Sequence, residues 1–380
     1  MRVMELRAET IYQGVERTMS DNVDDVTKGV TLRNGNSWYL SNNYKKPYSD
    51  SDSNSDIKFR LDNAEETDNF VVKYHGKTYD ISGLLKYHPG GRKTLKPYKG
   101  FSLDRVLAET PHSKAAHHLF EEFVLENQSE YQDIEKLINW NKPILWQVSS
   151  LKNRYWEWVN LPVNRPIRLF KSNFLELLTI TPWYLVPIIW IPISLYFFYI
   201  GCTTDISDSV VNSMPQIIIA FAWGLLLWTF LEYSLHRKLF HMKPPPDSTT
   251  LITLHFLLHG LHHKFYFQAP FDAQRLLFPP VPAIAAATIL LNLYKLLFPP
   301  VMINFVISGT MIGYLCYDLI HYYLHYGAPK AETYLYVMKR YHNYHHFSHH
   351  QEGFGISSKL WDYVFGTLIT LRQLIRAIEW

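Results

Sequence analysis

Residues 338–350 read MKRYHNYHHFSHH, and five of those thirteen positions are histidine: His342, His345, His346, His349 and His350. The chain has 18 histidines in 380 residues, and thirteen of them lie between His236 and His350. Neutral imidazole is the commonest side-chain metal ligand. Four groups have the spacing of ligands: LEYSLHRKLFH with His236 and His241, HGLHH with His259, His262 and His263, HYYLH with His321 and His325, and YHNYHH with His342, His345 and His346. Residues three and four apart share one face of a helix, so the last three groups each present neighbouring imidazoles. His236 and His241 are five apart, which turns the second off the first one's face and requires a helix end or a kink between them. Ten imidazoles exceed the needs of one ion, so two metals are implied. Nitrogen ligands of this kind suit zinc, copper or iron without any carboxylate. His255, His349 and His350 fall outside the repeated pattern and read as surface, interfacial or supporting residues.

The elements that must position these groups are apolar helices. Four charge-free stretches, Leu177–Ile200, Val210–Leu231, Leu276–Tyr294 and Leu296–Tyr317, each have the length of a crossing of a hydrocarbon core about 30 Å thick. Pro279, Pro280 and Pro282 crowd the start of the third. Buried helices of a soluble enzyme would not supply four such windows in so short a stretch. Basic residues set the orientation: Lys142, Lys152, Arg154, Arg165, Arg168 and Lys171 precede the first span, and Arg237, Lys238, Lys243, Lys264 and Arg275 follow the second. The loop GCTTDISDS has no lysine or arginine, and only Lys295 lies near the Pro299-Pro300 turn. Both termini and residues 232–275 are therefore expected in the cytosol, with two short hairpins on the far side. All four histidine groups then arrive at one membrane face.

Composition bounds the remainder. A formal net charge of +3 makes no case for nucleic acid, and two cysteines, Cys202 and Cys316, supply neither a disulfide framework nor a thiolate site. The first 40 residues are polar, without the apolar core of a signal peptide. Residues 1–65, with SDSDSNSD at 49–56, read as a poorly structured extension. Residues 66–130 read as a small α+β domain, small enough to need a cofactor to complete its core. Residues 131–176 form a basic linker or interfacial segment, 177–370 the membrane domain, and 371–380 a tail whose LRQLIRAIEW suggests a short amphipathic helix.

The histidine pattern resembles the fatty acid hydroxylase/sterol desaturase superfamily of integral membrane di-metal oxygenases. HGLHHK, APFDAQRLLFPPVPA, GYLCYDLIHYYLH and HHFSHHQEGFGISSKLWDYVFGT are similar to the fatty acid 2-hydroxylase branch over most of 165–370. One departure is FYFQ (265–268), inserted between HHK and APFD. In the small domain, YDISGLLKYHPGG (79–91) resembles the haem-binding signature of cytochrome b5. The resemblance implies haem b with His88 as one axial ligand and His112, which is followed by Ser113, as the other; His117 is the alternative. Two axial histidines leave dioxygen no position, so such a haem moves electrons.

Together these resemblances imply a multi-domain protein of the endoplasmic reticulum membrane. A small α+β cytochrome b5-like haem domain precedes an all-α membrane domain of four transmembrane helices with a cytosolic, histidine-rich di-metal cap. A nicotinamide-dependent cytochrome b5 reductase would feed the haem. The di-metal site would activate O2 and hydroxylate an acyl chain, as free acid, acyl-CoA or ceramide, at the carbon next to the carbonyl, for sphingolipids. Oxygen chemistry needs a redox metal, so iron is expected in the working enzyme, while zinc fits the same imidazoles in the isolated protein. Tyr317 and Asp318 beside His321, and Glu232 and Tyr233 before His236, are candidates for catalysis or for orienting ligand imidazoles. The alternatives are a desaturase or sterol-modifying oxidase of the same superfamily, a metal transporter, and a membrane electron carrier. A transporter would spread its ligands along the spans and leave the haem domain without a role.

Overall fold

The computed structural model describes residues 69–85, 87–110, 112–125, 134–203, 214–266, 280–374 and 377–380. Residues 1–65, read above as an unstructured extension, lie outside the described residues, as does most of the expected hairpin loop GCTTDISDS (201–209).

The small domain opens with an antiparallel hairpin, β1 (Val71–Tyr74) and β2 (Lys77–Asp80), in the register Val71↔Asp80 to Tyr74↔Lys77. Val72 and Tyr79, paired across the hairpin, are buried and join Phe70, Ile81, Leu84 and Leu103 in one core. Three short helices complete it: α1 (Arg92–Leu95), α2 (Asp104–Glu109) and α3 (Lys114–Phe120), the last capped by the Ser113 hydroxyl accepting from the Ala116 amide. Tyr266 and Phe347, from the histidine-rich half of the chain, pack into the same core.

The basic segment after it carries a core of its own. Ile144, Val148 and Trp158, which lies in α4 (Tyr155–Val159), pack with Ile252, Phe256 and Leu261 of the region between spans. At its centre the Lys264 ammonium donates to Glu135 at 2.6 Å and to the carbonyls of Trp158 and Leu161 at 2.9 and 2.6 Å. Glu135 also accepts from the Trp158 indole and meets His118 of α3, both at 2.9 Å. Burial draws the Lys264 ammonium down to about 8, and Glu135 opposes the fall. Burial pushes the Glu135 carboxyl up, but Lys264 and His118 outweigh it and hold the group below the usual carboxylate range. The pair is therefore charged at neutral pH. It joins the small domain, the basic segment and the ligand-bearing HGLHHK stretch.

Three helices among the described residues are long and apolar enough to cross a membrane: α6 (Leu185–Thr203), which follows the short α5 (Asn173–Leu177); α7 (Met214–Leu235), continued to Phe240 by a wider turn; and α11 (Pro300–Tyr326). The first starts eight residues later than the sequence suggests, beyond Pro182, which lacks an amide proton and biases its predecessor away from helix. Between α7 and α10 lie α8 (Thr249–His255) and α9 (Leu261–Lys264). The predicted third span becomes α10 (Pro280–Leu297), whose apolar stretch, Ala283–Leu297, is shorter than the roughly 20 residues of a crossing. The fourth begins at Pro300, where proline suits a helix's first turn, and runs nine residues past Tyr317. The expected four spans are thus three by length and composition.

Helix α11 is the central one, packed against α6 and α7. Small residues permit the close crossing, as is usual between membrane helices. A Cβ on Gly224 would strike the Val306 carbonyl, one on Gly309 would strike that of Phe221, and Thr310 donates to the Gly224 carbonyl at 3.2 Å. Helices α12 (Tyr334–Phe347) and α13 (Leu360–Val364) follow. The described residues of the tail, 371–374 and 377–380, run without helix.

Replacing Glu135 by leucine should leave the Lys264 charge buried without its partner. A loss of about 3–5 kcal/mol is expected for one half of a buried pair, read as a lower unfolding midpoint of the purified protein. A Lys264→Met/Glu135→Leu double variant should recover most of it.

Candidate metal centre

The ten predicted histidines converge, but not by their sequence groups. His236, His241, His259, His263 and His345 form one set; His262, His321, His325, His342 and His346 form another; the potential ligand atoms of each set lie within 4.8 Å of one another. Two adjacent pairs are split between the sets. His262 and His263 point to different centres, as do His345 and His346, because consecutive helical residues are turned about 100° apart. The sets adjoin where the rings of His263 and His346 lie 4.4 Å apart.

The five-residue spacing of His236 and His241 is resolved by the wider turn at the end of α7. The His241 amide donates to the His236 carbonyl at 3.0 Å. That is the i to i+5 bond of a π-turn, which often marks functional sites, and it returns the second imidazole to the first one's face. A second such turn, Phe256–Gly260, precedes His262 and His263.

Backbone carbonyls fix the tautomers of two of the rings. His236 Nδ1–H donates to the Phe354 carbonyl at 2.6 Å, and His345 Nδ1–H donates to that of Glu352 at 2.7 Å. A neutral ring so bonded leaves Nε2 a bare lone pair, yet those atoms face other imidazole nitrogens: His236 to His259 at 3.1 Å, His345 to His241 at 3.0 Å, His241 to His259 at 3.0 Å. In the second set the Nε2 of His342 lies 3.1, 2.8 and 3.0 Å from those of His321, His325 and His346. Nitrogens bound about 2.0–2.1 Å from one ion, at roughly right angles, stand about 2.9 Å apart. The spacing and the lone pairs therefore fit one cation in each set.

Burial also prepares the rings. It pushes His241, His259, His262, His263, His342, His345 and His346 well below the usual histidine value, with their neighbouring imidazoles pushing the same way, so they are neutral and ready to bind. Neither set contains a carboxylate.

The acids act one step back. Glu232, expected to bond an imidazole, instead accepts from the amides of Ile356 and Ser357 at 2.8 and 2.7 Å and from the Ser357 hydroxyl at 2.5 Å. Asp362 accepts from the amides of Phe354 and Gly355 at 2.9 and 2.8 Å. Both hold the loop 352–357, whose carbonyls orient His236 and His345. Lys339, buried among the ligands' own helices, donates to the carbonyls of Leu324 and His325 at 2.7 and 3.0 Å. Lys339 and Glu135 escape a reading of motifs because each binds a partner distant in sequence, whereas Asp362 bonds amides only seven and eight residues before it. The Gly-Phe-Gly of EGFGISS was the one sequence signal of a tight supporting loop.

The remaining candidates divide. The Tyr317 ring stacks on His321 at 5.8 Å, and Asp318, buried, accepts from the Tyr314 hydroxyl at 3.2 Å. Tyr233 meets the Thr367 hydroxyl at 2.9 Å. His255 lies outside both sets, its Nδ1 2.6 Å from the Tyr155 hydroxyl, and so do His349 and His350, although the His350 ring comes within 5.7 Å of His263. Most of FYFQ lies outside the described residues, but Tyr266 is inside, its ring 4.5 Å from His325 and 4.7 Å from His346.

In the small domain the rings of His88 and His112 stand 6.3 Å apart. Each donates Nδ1–H to a backbone carbonyl, Gly91 at 3.3 Å and Thr110 at 2.7 Å, which leaves both Nε2 atoms free. The separation suits a metal atom about 2 Å from each nitrogen. Burial draws His88 down to about 4, so it is neutral. His117 stacks on Tyr74 at 6.1 Å.

Comparison with known proteins agrees with this geometry. A family model for fatty acid hydroxylase matches residues 221–367, and one for the cytochrome b5-like haem/steroid binding domain matches 58–127. A fatty acid 2-hydroxylase from Macaca fascicularis is 40% identical, over 78% of this chain and 91% of that protein. The chain belongs to the fatty acid 2-hydroxylase family. As such it is an oxidoreductase of lipid metabolism. A dihydroceramide fatty acyl 2-hydroxylase from Arabidopsis thaliana is 44% identical over 61% of this chain and 93% of its own. The solved structure of full-length scs7p, in which only the hydroxylase domain is visible, is similar with a TM-score of 0.53 at 32% identity, covering 64% of this chain and 90% of that one.

His241→Ala should lower bound metal from two equivalents per chain to one by elemental analysis, with the second set still loaded. Glu232→Ala, which frees the 356–357 amides, should weaken the first set's metal by about 10- to 100-fold, measured by chelator competition.

Proposed function

We propose that this enzyme hydroxylates long acyl chains at the 2-position for ceramides and other sphingolipids, using O2 and two electrons. The observation that carries this reading is the pair of five-imidazole sets, neutral and converging, at the ends of apolar helices in a chain fused to a b5-like domain. The overall balance is C–H plus O2, two electrons and two protons, giving C–OH and water.

His236, His241, His259, His263 and His345 would hold one metal, and His262, His321, His325, His342 and His346 the other. Iron held there would supply the oxygen chemistry, whereas zinc, equally at home among imidazoles, has no accessible redox state. The chain's own part is to keep ten rings neutral and oriented. Glu232 and Asp362 hold the carbonyl loop, Lys339 holds the end of α11, Tyr317 sets the position of His321 by stacking on it, and Asp318, one turn before His321, accepts from Tyr314. His88 and His112 would bind haem b, whose two axial ligands restrict it to carrying electrons, here from a nicotinamide-dependent cytochrome b5 reductase. His112 is favoured over His117 by its ring separation from His88 and its freed Nε2.

We place the protein in the endoplasmic reticulum membrane. Helix α10 pairs with α11 through the Pro299-Pro300 turn as a second hairpin, which makes four membrane segments, and the basic loops put both termini and the histidine sets on the cytosolic side. An acyl chain enters between the apolar helices while its carbonyl end stays at the interface, beside the metals. The acyl chain is carried as free acid, acyl-CoA or ceramide, and domain boundaries follow the sequence: 66–130 for haem, 177–370 for hydroxylation.

Mass spectrometry of sphingolipids from cells expressing the protein should show acyl chains heavier by one oxygen, located at carbon 2. Chains lighter by two hydrogens would point to the desaturase reading instead. His345→Ala/His346→Ala, which removes one ligand from each set, should abolish the product with haem absorption unchanged; retained product would sink the di-metal assignment.

A further inference from the structure

Residues 377–380 lie between two surfaces that serve different halves of the reaction. On one side is the histidine loop of the small domain. The Trp380 indole N–H donates to the Pro89 carbonyl at 3.2 Å, next to His88. Glu379 pairs with Lys93 of α1. Gly91, at φ +84, lets the tail approach, since a Cβ there would collide with the Glu379 carbonyl.

On the other side is α12, which carries three of the ten imidazoles. The Ile378 amide donates to the Tyr336 hydroxyl at 2.8 Å, the Trp380 ring lies 5.1 Å from that of Tyr336, and the Lys339 ammonium sits 5.2 Å over the indole. Lys339 is the same residue that donates to the His325 carbonyl at 3.0 Å. An unbroken run of contacts therefore leads from the backbone beside His88 to the backbone of a second-set histidine.

Domains within one chain move relative to each other unless their interface is large or held. The pairs His118–Glu135 and Arg165–Glu122, the latter bidentate at 2.7 Å, anchor the helical flank of the small domain. Neither touches the His88 loop. Phe347 of α12 packs into the small domain's core together with Leu84 and Tyr87, and the tail adds the hydrogen bonds that join the His88 loop itself to α12.

We propose that Ile378, Glu379 and Trp380 form a latch that holds the His88 loop against α12 and so sets the distance over which electrons pass to the second imidazole set. The inference rests on the reading above that His88 holds haem and the imidazole sets hold a redox metal. In each transfer one electron leaves the ferrous haem, which becomes ferric, and one arrives at the metal. Trp380 touches neither centre, so it is a positioning residue.

The test uses the full-length enzyme, loaded with haem and iron in lipid nanodiscs and reduced, then mixed with O2 and a long-chain fatty acyl substrate. Stopped-flow absorbance follows reoxidation of the haem. Trp380→Ala should slow it by about 10- to 100-fold, the scale on which a mutation far from the chemistry acts when it misplaces reacting groups. Its haem spectrum, metal content and product from one turnover of metal reduced directly by dithionite should match the parent. Equal reoxidation rates would overturn the latch. Should Trp380→Ala disturb the haem spectrum, the charge pair decides. Lys93→Glu should slow reoxidation and Lys93→Glu/Glu379→Lys should restore it, and a failure of either step would overturn the latch. A parent enzyme whose haem is not reoxidised by O2 and substrate would overturn the electron-transfer reading itself, and the latch with it.

Discussion

Lone pairs on neutral nitrogens repel unless a cation lies among them, and here ten imidazoles are packed with their Nε2 atoms turned toward two points. Such an arrangement has to be imposed. Burial keeps the rings uncharged, and in His236 and His345 a hydrogen bond from Nδ1 to a backbone carbonyl decides which nitrogen is bare. The loop 352–357 provides two of those carbonyls and is itself held by Glu232 and Asp362. Ligand geometry thus depends on carboxylates that never touch a ligand, a common device around metal sites.

The helices exist in service of that convergence. Close crossing of α7 and α11 through Gly224 and Gly309 brings His236 and His321 to the same level. A π-turn at the end of α7 adds the residue that puts His241 beside His236. Helix α12 contributes to both sets because His345 and His346 diverge by one helical step. The two centres therefore share scaffolding throughout: a shift of α9 or α12 would disturb both.

The small domain is tied to this assembly by a buried charge network and by core contacts. Glu135 bonds His118 on one side and Lys264 on the other, and Lys264 directly follows two ligands. Burying a charged pair costs solvation, and the cost is offset here by hydrogen bonds to carbonyls and an indole. Tyr266 and Phe347 extend the small domain's core toward the histidines. A domain that carries electrons gains from such a fixed placement, because distance governs how readily they pass.

Much of this was legible in the amino-acid order. Residue type and local spacing marked out the ten imidazoles, their number as that of two sites, the His88 loop and the apolar helices, since helical period and apolar run length are local properties. Tertiary structure alone decided which imidazoles come together in each set. Sequence groups such as HGLHH look like single sites, but helical rotation sends adjacent residues to different centres. It alone showed that Glu232 grips a loop 124 residues away instead of a neighbouring ring, that Pro182 delays the first apolar helix, and that Trp380 meets the Pro89 carbonyl beside His88 instead of lying in a helix. Those outcomes depend on partners distant in sequence, and no local pattern encodes which distant carbonyl, amide or ring will be there to meet a side chain.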